Sequence, residues 1–150
     1  MGTTVRETTR EVTTGDHAWL LALISQDLDQ RIGAALAPAG LSVEQWRALE
    51  HLAGAGPCTM SALGSTSTVA GASLTRLVDH LVEHSLVYRA ADTADRRRVL
   101  VHLSSRGRRR VRALRPKVRT AEAEAMAALS DQERDDLARL LQQLAPSIDP

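Results

Sequence analysis

The stretch from Leu63 to Leu103 restricts the fold of this chain more than any other part of it. It reads as a helix, a tight turn, a second helix, and a hairpin with Asp92-Thr93-Ala94-Asp95-Arg96-Arg97-Arg98 at its tip. Leu74, Leu77, Val78 and Leu81 fall on one face of the second helix, which reaches about His84. Val87 to Ala91 and Arg98 to Leu103 read as the two strands of the hairpin. Three arginines on an exposed turn repel one another unless an anion lies nearby. A helix pair beside such a turn points to a polyanion, and duplex DNA is the first candidate.

The charge pattern agrees. The net charge is only +1, but residues 1–85 carry 5 Arg/Lys and 9 Asp/Glu, whereas residues 86–120 carry 12 and 2. The second segment stands at +10, the footprint of a phosphate-binding surface. A solvated helix face is the plainer alternative for such a run. Aromatic residues make up only 2% and Phe is absent, which argues against base-stacking platforms for single strands.

The rest of the chain reads as helices. Leu20, Ile24, Leu28, Ile32 and Leu36 recur at spacing four after Asp16, a candidate N-cap. Ser42 and Gln45 form a capping-box pattern ahead of a second helix carrying Trp46, Leu49 and Leu52. Thr59 can cap a short third helix, and a break is expected between Thr66 and Ala70. Ser104 or Ser105 opens a fifth helix with Val111, Leu114, Val118, Ala121, Ala125 and Leu129. Pro116 lies inside it, so a bend or a restart is expected there. Ser130 and Glu133 repeat the capping box before a last helix with Leu137, Leu140, Leu141 and Leu144.

The fold class that follows is mainly α with a small β-hairpin wing. Residues 41–103 form a winged helix-turn-helix, flanked by a helical dimerisation region at 15–40 and 104–146. Residues 1–14 are expected to be a flexible N-terminal segment. The first, fifth and sixth helices carry apolar stripes without an obvious partner in that unit, and a second copy of the chain would cover them. A lone cysteine, Cys58, and no secretory or membrane-length apolar segment fit a cytoplasmic protein that does not contact a membrane.

With these elements placed, the chain resembles the MarR family of bacterial transcription regulators. The resemblance lies in Leu41-Ser42-Val43-Glu44-Gln45-Trp46, Leu74-Thr75-Arg76-Leu77-Val78-Asp79-His80-Leu81, Leu86-Val87-Tyr88-Arg89, Asp92-x-x-Asp95-Arg96-Arg97 and Leu103-Ser104-x-x-Gly107-Arg108. It implies a homodimeric, non-enzymatic regulator of a pseudo-palindromic operator, expected to act as a repressor relieved by a small-molecule effector. Where the family usually has Gly, this chain has Ser85, which must then take up the same backbone under strain.

The fourth helix is the candidate reader, with Ala70, Gly71, Ser73, Thr75 and Arg76 toward DNA. The resemblance places Arg96, Arg97 and Arg98 in or beside the minor groove. Asp95 is expected to support the wing by holding an arginine side chain, Arg97 first. Arg106, Arg108, Arg109, Arg110 and Arg112 are secondary candidates for binding phosphate. The resemblance also implies an effector pocket, for which His17, Trp19, Trp46 and His51 are candidate lining residues. The plainer reading of both tryptophans is core.

Other chemistries find less support. No phosphate loop, G-x-S-x-G elbow or HExxH motif occurs, so no enzyme activity and no cofactor are expected. His80 and His84 stand at i, i+4 and could share a metal, but surface residues are the plainer reading and no metal site is assigned. Asp79 and Glu83 read as a pair on a different face. Cys58 lacks an internal partner for redox sensing. The rival of another class is a winged helix whose basic face binds an acidic protein.

Overall fold

The computed structural model describes residues 16–65 and 71–144. Among the described residues, six α-helices and a short 3-10 turn at Ala37–Ala39 accompany a small sheet: α1 (His17–Leu36), α2 (Val43–Ala55), α3 (Met60–Ser65), α4 (Ala72–Glu83), α5 (Ser105–Ala125) and α6 (Asp131–Leu144). The sheet is antiparallel, with β3 (Val99–Leu103) between β1 (Cys58–Thr59) and β2 (Val87–Ala91). Val87 faces Leu103 and Ala91 faces Val99 across the hairpin. This is the mainly helical winged fold that the periodicity implies. The expected flexible segment at 1–14, the break at 66–70 and Ala70 lie outside the described residues.

Local chemistry sets most element ends. Ser42 and Gln45 exchange both bonds of the capping box, at 3.0 and 3.2 Å, and so satisfy two N–H groups at the start of α2. Thr59 accepts from the Ala62 N–H, and Ser104 from the Gly107 N–H. Ser130 and Glu133 close the equivalent box on α6. Asp16 departs from expectation, since its side chain makes no capping bond to α1.

The end of α4 is a Schellman motif. The Leu86 N–H bonds the Leu81 carbonyl and the Ser85 N–H bonds the Val82 carbonyl. Ser85 occupies the left-handed position, with φ 57, where an L side chain is strained. Buried Leu81 and Leu86 close the motif from the core side.

The core joins the winged unit to the long helices. Leu36, Leu49, Leu63, Val78, Leu81, Val101 and Val111 are fully buried. Each such side chain contributes about 1.5–3 kcal/mol of transfer free energy. Gly107 is required where α5 passes under the wing: a Cβ there would collide with the Leu86 carbonyl oxygen and the Leu103 side chain.

Three expectations about α5 need correction. It does not restart at Pro116: one helix runs through this exposed residue. Val111 and Leu114 on one side of the proline, and Val118 and Ala121 on the other, are buried, so packing holds the helix in register. The missing N–H leaves only a solvent-side carbonyl without a partner. Leu129 does not belong to α5, which ends at Ala125. The apolar stripe of α5 is already covered, mainly by α1. What stays uncovered is the first half of α1, with Trp19, Leu21, Leu23 and Ile24, and the Leu140, Leu141 and Leu144 stripe of α6. Trp46 is core, but Trp19 is half exposed.

Candidate nucleic-acid interface

Helix α4 is strongly two-faced. Leu74, Val78 and Leu81 anchor it in the core, while Ser73, Thr75 and Arg76 are exposed on its other side. Its N-terminus begins at Gly71, with φ 60 and ψ −135, a conformation that favours glycine. Gly71 has no side chain to bond the first-turn N–H groups, so among the described residues no side chain caps this positive helix end. The Thr75 hydroxyl leans back toward the Gly71 carbonyl at 3.5 Å, the weak limit of a hydrogen bond.

The wing tip is organised by two aspartates. Asp92 Oδ1 accepts from the Ala94 N–H at 2.9 Å, and Asp95 Oδ1 from the Arg97 N–H at 3.0 Å. The backbone closes below them through Asp92 N–H to Arg98 O and Arg98 N–H to Asp95 O, both 2.9 Å. Asp95 therefore shapes the wing through the backbone of Arg97, and the expected bond to the guanidinium does not form. The Asp95 Oδ1 closes an Asx turn instead. Arg96, Arg97 and Arg98 are all exposed and join none of the ion pairs found among the described residues.

An ion pair links helix and wing. Arg89 Nη2 on β2 lies 2.7 Å from Asp79 Oδ1 on α4. The sequence shows both residues but not their pairing, because they sit on different elements with the turn at Ser85 between them.

The arginines that open α5 divide into two kinds. Arg108 bonds the Leu103 carbonyl at 2.8 Å, and Arg110 bonds the Ala39 carbonyl at 2.6 Å. These two therefore brace the fold. Arg106, Arg109 and Arg112 remain exposed.

Two clefts flank α5. One, of about 820 Å³, lies between α1, α2, α5 and α6 and is lined by Leu21, Ile24, Leu28, Trp46 and Arg119 among others. It takes in Trp46 but not His17, Trp19 or His51. The other, of about 630 Å³, lies between the end of α2, the sheet and α5. Tyr88 and His102, paired across β2 and β3, stack on its wall with ring centroids 4.9 Å apart. Arg108, Arg112 and Arg115 complete it, and Arg115 also pairs with Glu50 at 2.9 Å. The His102 Nε2 is buried there without a hydrogen-bond partner. No sequence signal marks this cleft, because its residues come from four separate elements.

The sensing candidates are placed as follows. Burial pushes the Cys58 thiol above its ordinary pKa, which keeps it protonated and a poor nucleophile. Glu83, read from sequence as lying on another face, stands with His80 and His84 instead. No described helix is long and apolar enough to cross a membrane.

An exposed polar helix face, a basic wing and a braced α5 define the class: a winged helix-turn-helix protein of the DNA-binding kind. The family model described as MarR family matches residues 39–98. A helix-turn-helix transcriptional regulator of Mycobacterium tuberculosis is 37% identical over 97 residues, covering 65% of this chain and 68% of that protein. A probable transcriptional regulator from Pseudomonas aeruginosa is 34% identical, with TM-score 0.73 over 87% of this chain and 97% of that one. A mutant of Escherichia coli MarR, solved in complex with operator DNA, is 26% identical, with TM-score 0.76 over 86% and 93% of the two chains. The chain belongs to the MarR family of DNA-binding transcription regulators, which are not enzymes.

Proposed function

We propose that this chain acts in the cytoplasm as a homodimeric repressor of a pseudo-palindromic operator, released by a small anionic effector. The observation that carries the reading is the joint presentation of the α4 polar face and the Asp-ordered arginine wing. Ser73, Thr75 and Arg76 would meet base edges or phosphate in the major groove, with Gly71 and Ala70 allowing close approach. Arg96, Arg97 and Arg98 would follow the minor groove. Operator DNA bound to the related Escherichia coli protein supports the same mode here.

Dimerisation rests on the uncovered residues of α1 and α6. Trp19, Leu21, Leu23, Ile24, Leu140, Leu141 and Leu144 are all more than a third exposed in the single chain. A second copy is the partner that covers such stripes symmetrically. Two α4 helices would then meet major grooves about 34–36 Å apart.

The 630 Å³ cleft is the better candidate for the effector than the set His17, Trp19, Trp46 and His51. It offers a buried, unpartnered His102 nitrogen, an aromatic wall and arginines, which together suit a small planar anion. Its walls belong to the wing and to α5, so a ligand there would shift the wing relative to the dimer helices.

The test is a mobility shift on the DNA upstream of the protein's own gene, at two salt concentrations. A sequence-selective, salt-sensitive shift supports the reading. Retention of an acidic protein without any such shift would favour a protein-interaction module instead.

A further inference from the structure

We propose that His80, Glu83 and His84 form a binding site for one borderline divalent metal ion, Zn²⁺ in the first instance. The three residues stand at i, i+3 and i+4 around the last turn of α4 and its C-cap. Their ligand atoms all lie within 4.8 Å of one another. A tetrahedral ion with bonds of about 2.1 Å needs its ligands about 3.4 Å apart. Small rotations of the His80 and Glu83 side chains, with the His84 ring kept in place, would close that gap.

Two details favour a cation. The His84 Nδ1 lies 2.9 Å from the His80 carbonyl oxygen, which can only accept, so Nδ1 carries the proton. The lone pair is then on Nε2, the nitrogen left for a metal, and the carbonyl fixes the ring as outer-shell partners of metal-bound histidines do. The site also sits at the C-terminal end of a 12-residue helix, where the aligned peptide dipoles favour positive charge.

Neighbouring charges work against binding and limit its strength. Arg106, Arg109 and Arg110 line the shallow groove beside His80 and His84. Arg110 is drawn away to the Ala39 carbonyl at 2.6 Å. Asp79, on the same helix, is occupied by Arg89 and is not a ligand. Two imidazoles and one carboxylate against this background suit weaker binding than a closed four-ligand structural site gives. The donor set excludes a preference for Ca²⁺ or Mg²⁺, which take oxygen ligands. A bound ion would clamp the turn at Ser85, the joint between α4 and the wing.

The experiment uses the full chain, free of any affinity tag. Zn²⁺ is titrated in competition with a chromophoric chelator, and Co²⁺ is added in parallel for its visible absorption. One Zn²⁺ per chain is expected, with Co²⁺ bands of four- or five-coordinate geometry. His80→Gln and His84→Gln should each weaken binding at least tenfold, and Glu83→Gln about tenfold. Cys58→Ser and His51→Gln, which leave the site intact, should bind as wild type does. Circular dichroism of each variant separates loss of the site from loss of the fold. Wild-type affinity no tighter than that of a His80→Gln/His84→Gln double variant with native dichroism would overturn the proposal. So would loss of binding in Cys58→Ser.

Discussion

The Asp79 carboxylate and the Arg89 guanidinium meet at 2.7 Å and tie α4 to the first strand of the wing. Their side chains are 49% and 33% exposed, so solvent screens the pair and its contribution to stability is at most about 1 kcal/mol. Its geometric effect is larger, because it ties together α4 and the wing, the two elements proposed to meet DNA. Arg89→Ala and Asp79→Ala should each lower operator affinity about 3- to 10-fold, and the double variant should do no worse than the more damaging single one. Anisotropy titrations of the three variants, run beside thermal melts, test this. Fully additive losses would show that the pair does not act as a unit.

Ser85→Gly should stabilise the protein. The left-handed backbone costs an L residue about 1–2 kcal/mol, and glycine returns part of that gain as chain entropy. A net gain of about 0.5–1 kcal/mol is expected, or a rise of about 1–4 °C in the melting temperature. The Ser104 hydroxyl would keep its 2.7 Å bond, since it is made to the Ser85 backbone carbonyl. An unchanged or lower melting temperature would remove strain from the account of this turn.

Gly107→Ala should be among the most damaging small substitutions in the chain. The new methyl would overlap the Leu86 carbonyl oxygen, a backbone atom that cannot rotate away. A loss above about 3 kcal/mol is expected from overpacking against fixed backbone. Denaturant midpoints of Gly107→Ala and of Gly54→Ala, where a Cβ meets nothing within 4 Å, give the contrast.

The α6 cap should respond to acid. Glu133 is held below the usual carboxylate range, first by the Ser130 backbone N–H and then by the Ser130 hydroxyl. Its folded pKa is depressed, so its contribution is complete above the unfolded carboxylate pKa and is lost as pH falls through the folded value. Amide protection at the start of α6, measured against the intrinsic exchange rate at each pH, should therefore fall in that acid window. Glu133→Gln, which keeps an acceptor without a titrating proton, should flatten the response.

Much of the fold is legible in the sequence because its determinants are local. The spacing of Leu74, Val78 and Leu81, the Ser42 and Ser130 capping boxes and the hairpin strands each lie within a few residues. β1 is not legible, because two residues carry no periodicity and Cys58 finds Val101 only across the sheet. The α5 stripe looks unpartnered in sequence for the same reason: α1, which covers it, is distant along the chain. At the interface, the clustering of Arg96, Arg97 and Arg98 is visible. The use of Asp95 on backbone rather than side chain is not, since composition does not reveal which donor a carboxylate will take. The cleft with Tyr88, His102 and Arg112 exists only after four elements pack together.

The most direct test is the salt dependence of operator binding by wild type, Arg76→Ala, Arg96→Ala and Arg97→Ala. If each arginine displaces one phosphate counterion in each half of the proposed dimer, removing it should reduce the slope of log affinity against log salt by about 1.8. The account predicts weaker binding and a shallower slope for Arg96→Ala and Arg97→Ala, and for Arg76→Ala a loss that is larger on the operator than on random duplex. Wild-type affinity and slope in all three variants, each folded by circular dichroism, would contradict it.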